Sequence, residues 1–333
     1  MIIRNKKCIS ILIKTLIILC SFGYIYKQIF YKSDFTTVLI EFRDTIENAI
    51  DYTIVTIVLL LMLINWSLET YKWQYLIKKI EKIGFFKALK GVLTGVTVSI
   101  LTPNRVGEFG GRIFVLERGN RIKAILITMI GSMCQLLITI ITGSLSLLYF
   151  VGKYFRDGSD FNNYAFFGLI FITLVLVVFI TILFFNLRVL FPLLNKIKIF
   201  AKFRKYSKVF YYYKFRELLK VFLISLIRYF VFSLQYYLIL YIFDVNIPFI
   251  EGMLMISIIF FVISVIPTIA LIEVGIRGSV ALYFISYLLN SPIPAKTELG
   301  ILTSSFVIWL INLVIPAIAG IFFVPDLKFF RKS

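Results

Sequence analysis

The sequence predicts an all-α protein, a polytopic membrane helix bundle with two inverted-topology halves, each containing a re-entrant, broken helix hairpin. Composition is the first reason. The 333 residues are 60% hydrophobic and 17% aromatic, more apolar than a soluble domain needs to fill its core. Several apolar runs reach the roughly 20 residues that cross about 30 Å of hydrocarbon. The second reason is a loop that occurs twice, 165 residues apart, each time interrupting apolar sequence. Thr102-Pro103-Asn104-Arg105-Val106-Gly107-Glu108-Phe109-Gly110-Gly111-Arg112 and Ile266-Pro267-Thr268-Ile269-Ala270-Leu271-Ile272-Glu273-Val274-Gly275-Ile276-Arg277 share a proline stop, a Glu, and an Arg four residues after it. The flanks keep the offset: 54–77 maps onto 219–242, 88–101 onto 253–266, and 124–151 onto 289–316. Matching interruptions in two hydrophobic halves point to the binding site of an inverted-repeat transporter.

At the start, Arg4-Asn5-Lys6-Lys7 precede an apolar stretch that runs to about Ile29 without a small-residue cleavage pattern. It reads as an uncleaved first transmembrane helix over about 9–29 and not as a signal peptide. Residues 32–51 carry Lys32 and Arg43 against five acids, whereas 72–90 carry six lysines against Glu81 alone. The positive-inside rule puts the first loop outside and the second in the cytoplasm, so the helix at 54–77 returns inward. Segment 88–101 is too short to span comfortably and begins near basic sequence. It forms one arm of a re-entrant hairpin, with Arg105 to Arg121 as the return arm. Helices at about 124–151 and 165–186 follow.

The loop 188–217 carries nine basic residues against Glu217 and is cytoplasmic by the same rule. Its run of aromatics and cations from Tyr206 to Arg216 has the makings of a stacking surface for single-stranded nucleic acid. Between membrane helices it is better explained as an interfacial segment, with Tyr at headgroup depth and Lys or Arg on phosphates. The second half then runs outward over 219–242, breaks over 253–266 and 276–289 in a hairpin opening from outside, and returns over 299–324. Lys328, Arg331 and Lys332 keep the tail inside. The expected organisation is one transmembrane domain, 1–333, with inverted halves at 54–151 and 219–324. It would lie in the plasma membrane with both termini cytoplasmic.

The net charge of +19 therefore marks topology and attraction to anionic lipid, with no nucleic-acid partner implied. The chain has no histidine, which excludes histidine-based catalysis and removes the commonest metal ligand. Cys8, Cys20 and Cys134 lack metal or redox spacing and read as apolar fillers. No cofactor and no metal are expected.

Glu108 with Arg112, and Glu273 with Arg277, fall on one helical face and can pair. Ionisable groups at membrane depth are expensive and are functional candidates by default. The competing reading is a salt bridge that merely neutralises both charges and pins each hairpin. Two pairs at matching positions favour a shared site for an anionic headgroup. Backbone N–H groups near Gly107 and a guanidinium fork from Arg105 or Arg112 would bind phosphate. Arg228 is about ten residues into its helix, too deep to snorkel easily, and joins the candidates. Glu69 and Lys72 are read as snorkelling at a cytoplasmic helix end. Gln135 and Asn312 are read as interhelix hydrogen-bonding residues.

Asn65-Trp66-Ser67-Leu68-Glu69-Thr70-Tyr71-Lys72-Trp73, the loop Thr102–Arg112, and Arg228-Tyr229-Phe230-Val231-Phe232-Ser233-Leu234-Gln235-Tyr236 resemble the flippase-like membrane domain of the lysylphosphatidylglycerol synthase family. The second loop is similar, although Ile269, Ala270, Leu271 and Ile272 stand where many members are richer in glycine. The resemblance covers nearly the whole chain without the soluble aminoacyl-transferase part. It implies movement of a lipid between leaflets, with membrane lipids or a polyprenyl phosphate as partner. Two other classes stay open at this point. One is a membrane glycosyl- or phosphotransferase with Glu108 or Glu273 as base; the other is an accessory subunit of an envelope-assembly complex.

Overall fold

The computed structural model describes residues 12, 15, 16, 19, 49–102, 105–117, 119–155, 163–187, 206, 208–266, 270–289 and 292–328. The expected first helix at 9–29, most of the outer loop and most of the basic loop lie outside the described residues. Those described are helical and form a bundle. Its long helices are α1 (Ala49–Ile77), α4 (Arg121–Tyr154), α5 (Asn163–Phe185) and α6 (Phe215–Ile242). Shorter ones are α2 (Phe85–Ile100), α3 (Gly107–Ile113), α7 (Phe249–Val265) and α8 (Ala270–Leu288). The last span is α9 (Ala295–Trp309), a π-helical turn (Leu310–Val314) and α10 (Ile315–Ile321). Tyr52–Ile77, Arg121–Tyr154, Asn163–Phe185 and Ala295–Ile321 are long and apolar enough to cross a membrane. Four such helices are what a multi-pass membrane protein requires.

The sequence fixes the ends of these helices by recognisable means. Asn120 caps α4, its side chain accepting from the N–H groups of Ile122 and Lys123, as an N-cap should. At the start of α6 the Glu217 carboxylate accepts from the Lys214 N–H at 2.9 Å. Helix α5 is apolar all round and mostly exposed or half-buried, with Phe166 and Phe184 its buried residues. That suits a helix bathed in hydrocarbon on most sides.

Contacts at the helix ends order the bundle. At one end, rich in lysine, the Tyr213 hydroxyl donates to the Leu76 carbonyl (2.7 Å) and Lys79 pairs with Glu217 (2.5 Å). Lys90 meets Asp326 (2.6 Å), and the Lys328 N–H donates to the Phe114 carbonyl (2.8 Å) at this same end. At the other end Lys153 meets Glu251 (2.6 Å) and Lys296 meets Asp244 (2.8 Å). Helices α2 and α3 thus form a hairpin rooted at the basic end, whereas α7 and α8 form one rooted at the opposite end. Their tips turn toward each other inside the bundle.

Glycines pack the first hairpin. A Cβ on Gly111 would lie 2.5 Å from the Gly95 Cα, and one on Gly107 would lie 2.5 Å from the Val98 carbonyl oxygen. On the far side of α2, a Cβ on Gly320 of α10 would collide with the Leu93 carbonyl and the Thr97 hydroxyl. This is close helix approach through small residues, the usual device where lipid removes any hydrophobic drive between helices. The return arm is shorter than the expected 105–121. Helix α3 has only seven residues, and the chain from Phe114 onward is drawn under the hairpin by Lys328.

Candidate functional site

The central polar cluster grows from α1. Glu69 and Lys72 stand one turn apart there, and the Lys72 ammonium meets the Glu69 carboxylate at 2.7 Å. Both side chains are buried, because α2, α4 and α6 cover this stretch of α1. The snorkelling expectation for these two residues is therefore corrected. Glu69 also receives Arg112 from α3 (2.8 Å) and Arg228 from α6 (3.1 Å). Sequence reasoning missed this hub. The available signal was a carboxylate well inside a 29-residue apolar helix, a placement that demands a partner.

The two loop pairs both form. Arg112 bonds Glu108, and Arg277 Nη2 donates to Glu273 at 2.6 Å. Arg105 then joins the hairpins: its Nη2 donates to both carboxylate oxygens of Glu273, at 2.9 and 2.8 Å. Arg105 holds this position with φ 56°, a left-handed backbone that non-glycine residues adopt at a cost and that recurs at functional sites. Arg228 also donates to the Gln135 Oε1 (3.2 Å) and lies 5.7 Å from the Trp66 ring centre.

Two adjoining cavities, of about 240 and about 290 Å³, surround this junction and share Trp66, Arg105, Gln135, Thr139, Arg228 and Ser264. The first extends toward Arg277, Asn65, Asn312 and the rings of Tyr229, Phe232 and Phe260. The second extends toward the basic end, along Glu69, Lys72 and Glu108. Arg105, Arg228, Arg277 and Glu108 line one or both, while Arg112 and Glu273 stand behind them as partners. Gly107 has another place: its N–H donates to the Thr102 hydroxyl (2.7 Å), and its Cα faces Val98. The structure therefore gives Gly107 a packing role.

The electrostatics are unbalanced. Lys72, Arg105, Arg112, Arg228 and Arg277 face Glu69, Glu108 and Glu273. Five cations against three carboxylates leave an excess of two positive charges in an apolar surround, where an uncompensated charge is costly. The hydrogen bonding is unbalanced in the same sense. The Trp66 Nε1, Arg112 Nε and Arg228 Nε, with Nε and Nη1 of Arg277, are buried donors without an acceptor among the described residues.

At the basic end, Lys328 and Lys87 both reach Glu117, at 2.9 and 3.2 Å. The hydrogen bond from Lys328, then that from Lys87, hold the Glu117 carboxyl down at about 2.

Residues 11–320 match the family described as the lysylphosphatidylglycerol synthase TM region. No curated protein and no solved structure matches the chain.

Proposed function

Since the chain belongs to the lysylphosphatidylglycerol synthase TM-region family, we propose that it moves an anionic or polyprenyl-phosphate-linked lipid between leaflets, holding the headgroup in the paired cavities. The observation that carries this is the cation excess together with the unpaired guanidinium and indole N–H groups. A phosphate there would accept from Arg228 and Arg277 and neutralise charge left uncompensated among the described residues. The opposed hairpins, whose tips meet at Arg105 and Glu273, support an inverted-repeat transporter with its site between the halves. In this reading the lysine-rich end faces the cytoplasm of a plasma-membrane protein and both termini lie inside.

The carboxylates speak against the transferase alternative. Glu273 is held by Arg105 and Arg277, and Glu108 by Arg112, so each carboxylate is already engaged by a guanidinium. The test is movement of a labelled anionic lipid in sealed vesicles that contain the purified protein. Movement faster than in protein-free vesicles, with the lipid chemically unchanged, is expected. Arg277→Gln or Arg228→Gln should slow it about tenfold or more, since a charged hydrogen bond is worth roughly 1.5–3 kcal/mol. A chemically altered lipid would sink the transport reading in favour of a transferase. A folded protein that moves no lipid would leave the accessory role.

A further inference from the structure

The four arginines of the junction are not held alike. Arg112 donates to the Glu108 carboxylate, Arg277 to that of Glu273, and Arg105 to both oxygens of Glu273. Arg228 donates instead to the side-chain amide of Gln135, from Nη1 to Oε1 at 3.2 Å. A guanidinium only donates, so Gln135 must turn its carbonyl oxygen this way. Arg228 also lies 3.1 Å from Glu69 Oε2, but that oxygen accepts no hydrogen bond among the described residues. The contact is charge attraction without alignment, and Glu69 already serves Lys72 at 2.7 Å and Arg112 at 2.8 Å. The Trp66 ring, its centre 5.7 Å from Arg228, backs the guanidinium without neutralising it.

Two neutral groups thus orient Arg228, whereas carboxylates orient the other three arginines. Arg228, Gln135 and Trp66 all line both cavities. A glutamate has the shape of glutamine and is the stronger acceptor for a guanidinium, so alignment alone would be better served by a carboxylate here. With five cations against three carboxylates at the junction, a fourth carboxylate would be readily accommodated. It would also cancel the charge of Arg228 before any anion arrived. We infer that Gln135 is a positioning residue whose neutrality is its function: it aligns Arg228 beside the cavities and leaves the charge of that guanidinium for an anionic lipid.

This inference rests on the lipid-transport reading, and the two fail separately. Labelled phosphatidylglycerol serves as the anionic probe in sealed vesicles that contain wild-type protein, Gln135→Glu or Gln135→Met. Gln135→Glu should fold, melt no lower than wild type, and move the probe about tenfold more slowly, because the added carboxylate competes with the probe for Arg228. A purely structural Gln135 predicts no loss, since the new ion pair keeps the contact between α4 and α6. Gln135→Glu moving the probe as fast as wild type would overturn the inference. Gln135→Met keeps the bulk and removes the acceptor. It should raise the probe fraction that gives half-maximal rate several-fold, with the maximal rate nearly kept. A fall in maximal rate alone would count against positioning, and this variant decides should Gln135→Glu not fold. If wild-type protein moves the probe no faster than empty vesicles do, the transport reading fails. Thermal shifts in detergent then decide for Gln135: short-chain phosphatidylglycerol should stabilise wild type more than Gln135→Glu, and equal stabilisation would refute the assignment.

Discussion

Arg105, at the tip of one hairpin, donates from a single nitrogen to both carboxylate oxygens of Glu273 near the tip of the other, at 2.9 and 2.8 Å. The two partners differ in burial: the Arg105 side chain is 41% exposed and that of Glu273 7%. Glu273 has a second partner, Arg277, 2.6 Å away, so the two ends of the bond are not equivalent.

Removing each partner should therefore cost different amounts. Glu273→Gln leaves two guanidinium groups facing each other, one of them buried, and should cost roughly 3 kcal/mol or more. Arg105→Gln leaves Glu273 with Arg277 and should cost about 1 kcal/mol or less, as a partly exposed pair would. Reversible unfolding in detergent compares them, and a larger loss from Arg105→Gln would refute the ordering.

The Glu69 hub gives a stronger effect. Glu69→Gln strands the buried Lys72 and takes one partner each from Arg112, which keeps Glu108, and Arg228, which keeps Gln135, and should destabilise by roughly 3–5 kcal/mol. Lys72→Met, added to it, removes one stranded cation and should restore part of that loss. A double variant less stable than Glu69→Gln alone would contradict the shared-charge account.

Glycine substitutions separate the hairpins. Gly111→Ala places a methyl 2.5 Å from the Gly95 Cα, with backbone and not a flexible side chain in the way. It should lower thermal stability sharply or prevent accumulation. Gly275→Ala enters open space on α8 and should be neutral or stabilise by up to about 1 kcal/mol, the usual helical gain. Melting temperatures of the two variants test the contrast.

The lysine-rich end should be the protected one in intact cells. Single cysteines replacing Lys82 and Lys296 sit at opposite ends of α6, about 40 Å apart for its 28 residues at 1.5 Å each. Lys296→Cys should label with an impermeant reagent, and Lys82→Cys only after permeabilisation. The reverse pattern would invert the orientation.

Acid should loosen the strap between Lys328 and Glu117. The folded Glu117 carboxyl is lowered to about 2, against roughly 4.3 in an unfolded chain. Its contribution is complete above the unfolded value and disappears as pH falls through the folded one. Hydrogen-exchange protection of the Lys328 N–H, after correction for intrinsic rate, should hold to about pH 4 and decline toward pH 2. In Glu117→Gln that decline should be absent.

Much of the helix order could be read from hydropathy, because each span must bury its own backbone hydrogen bonds. The break at residues 101–106 and the Glu–Arg pairs were readable for a related reason, since charge inside apolar sequence stands out. Glu69 was misread because snorkelling is judged from distance to a helix end. Its burial depends on α2, α4 and α6, and nothing within residues 66–73 states that Arg112 and Arg228 will arrive from elsewhere. At Gly107 a Cβ would meet the Val98 carbonyl, nine residues earlier, a packing constraint that no pattern within residues 102–112 states.

The π-helical turn at Leu310–Val314 has a rotational meaning. A π turn holds one residue more than an α turn, and one residue is about 100° of helix rotation. Asn312 is buried beside Asn65 and Gln235 while, beyond the turn, Ala317 accepts from the Thr97 hydroxyl at 2.8 Å and Gly320 lies against Leu93. With uniform α-helical phase those two sets of contacts would fall out of step by that angle. The turn thus acts as a phase adjuster, letting one continuous span present its amide to the cavity and its smallest residues to α2.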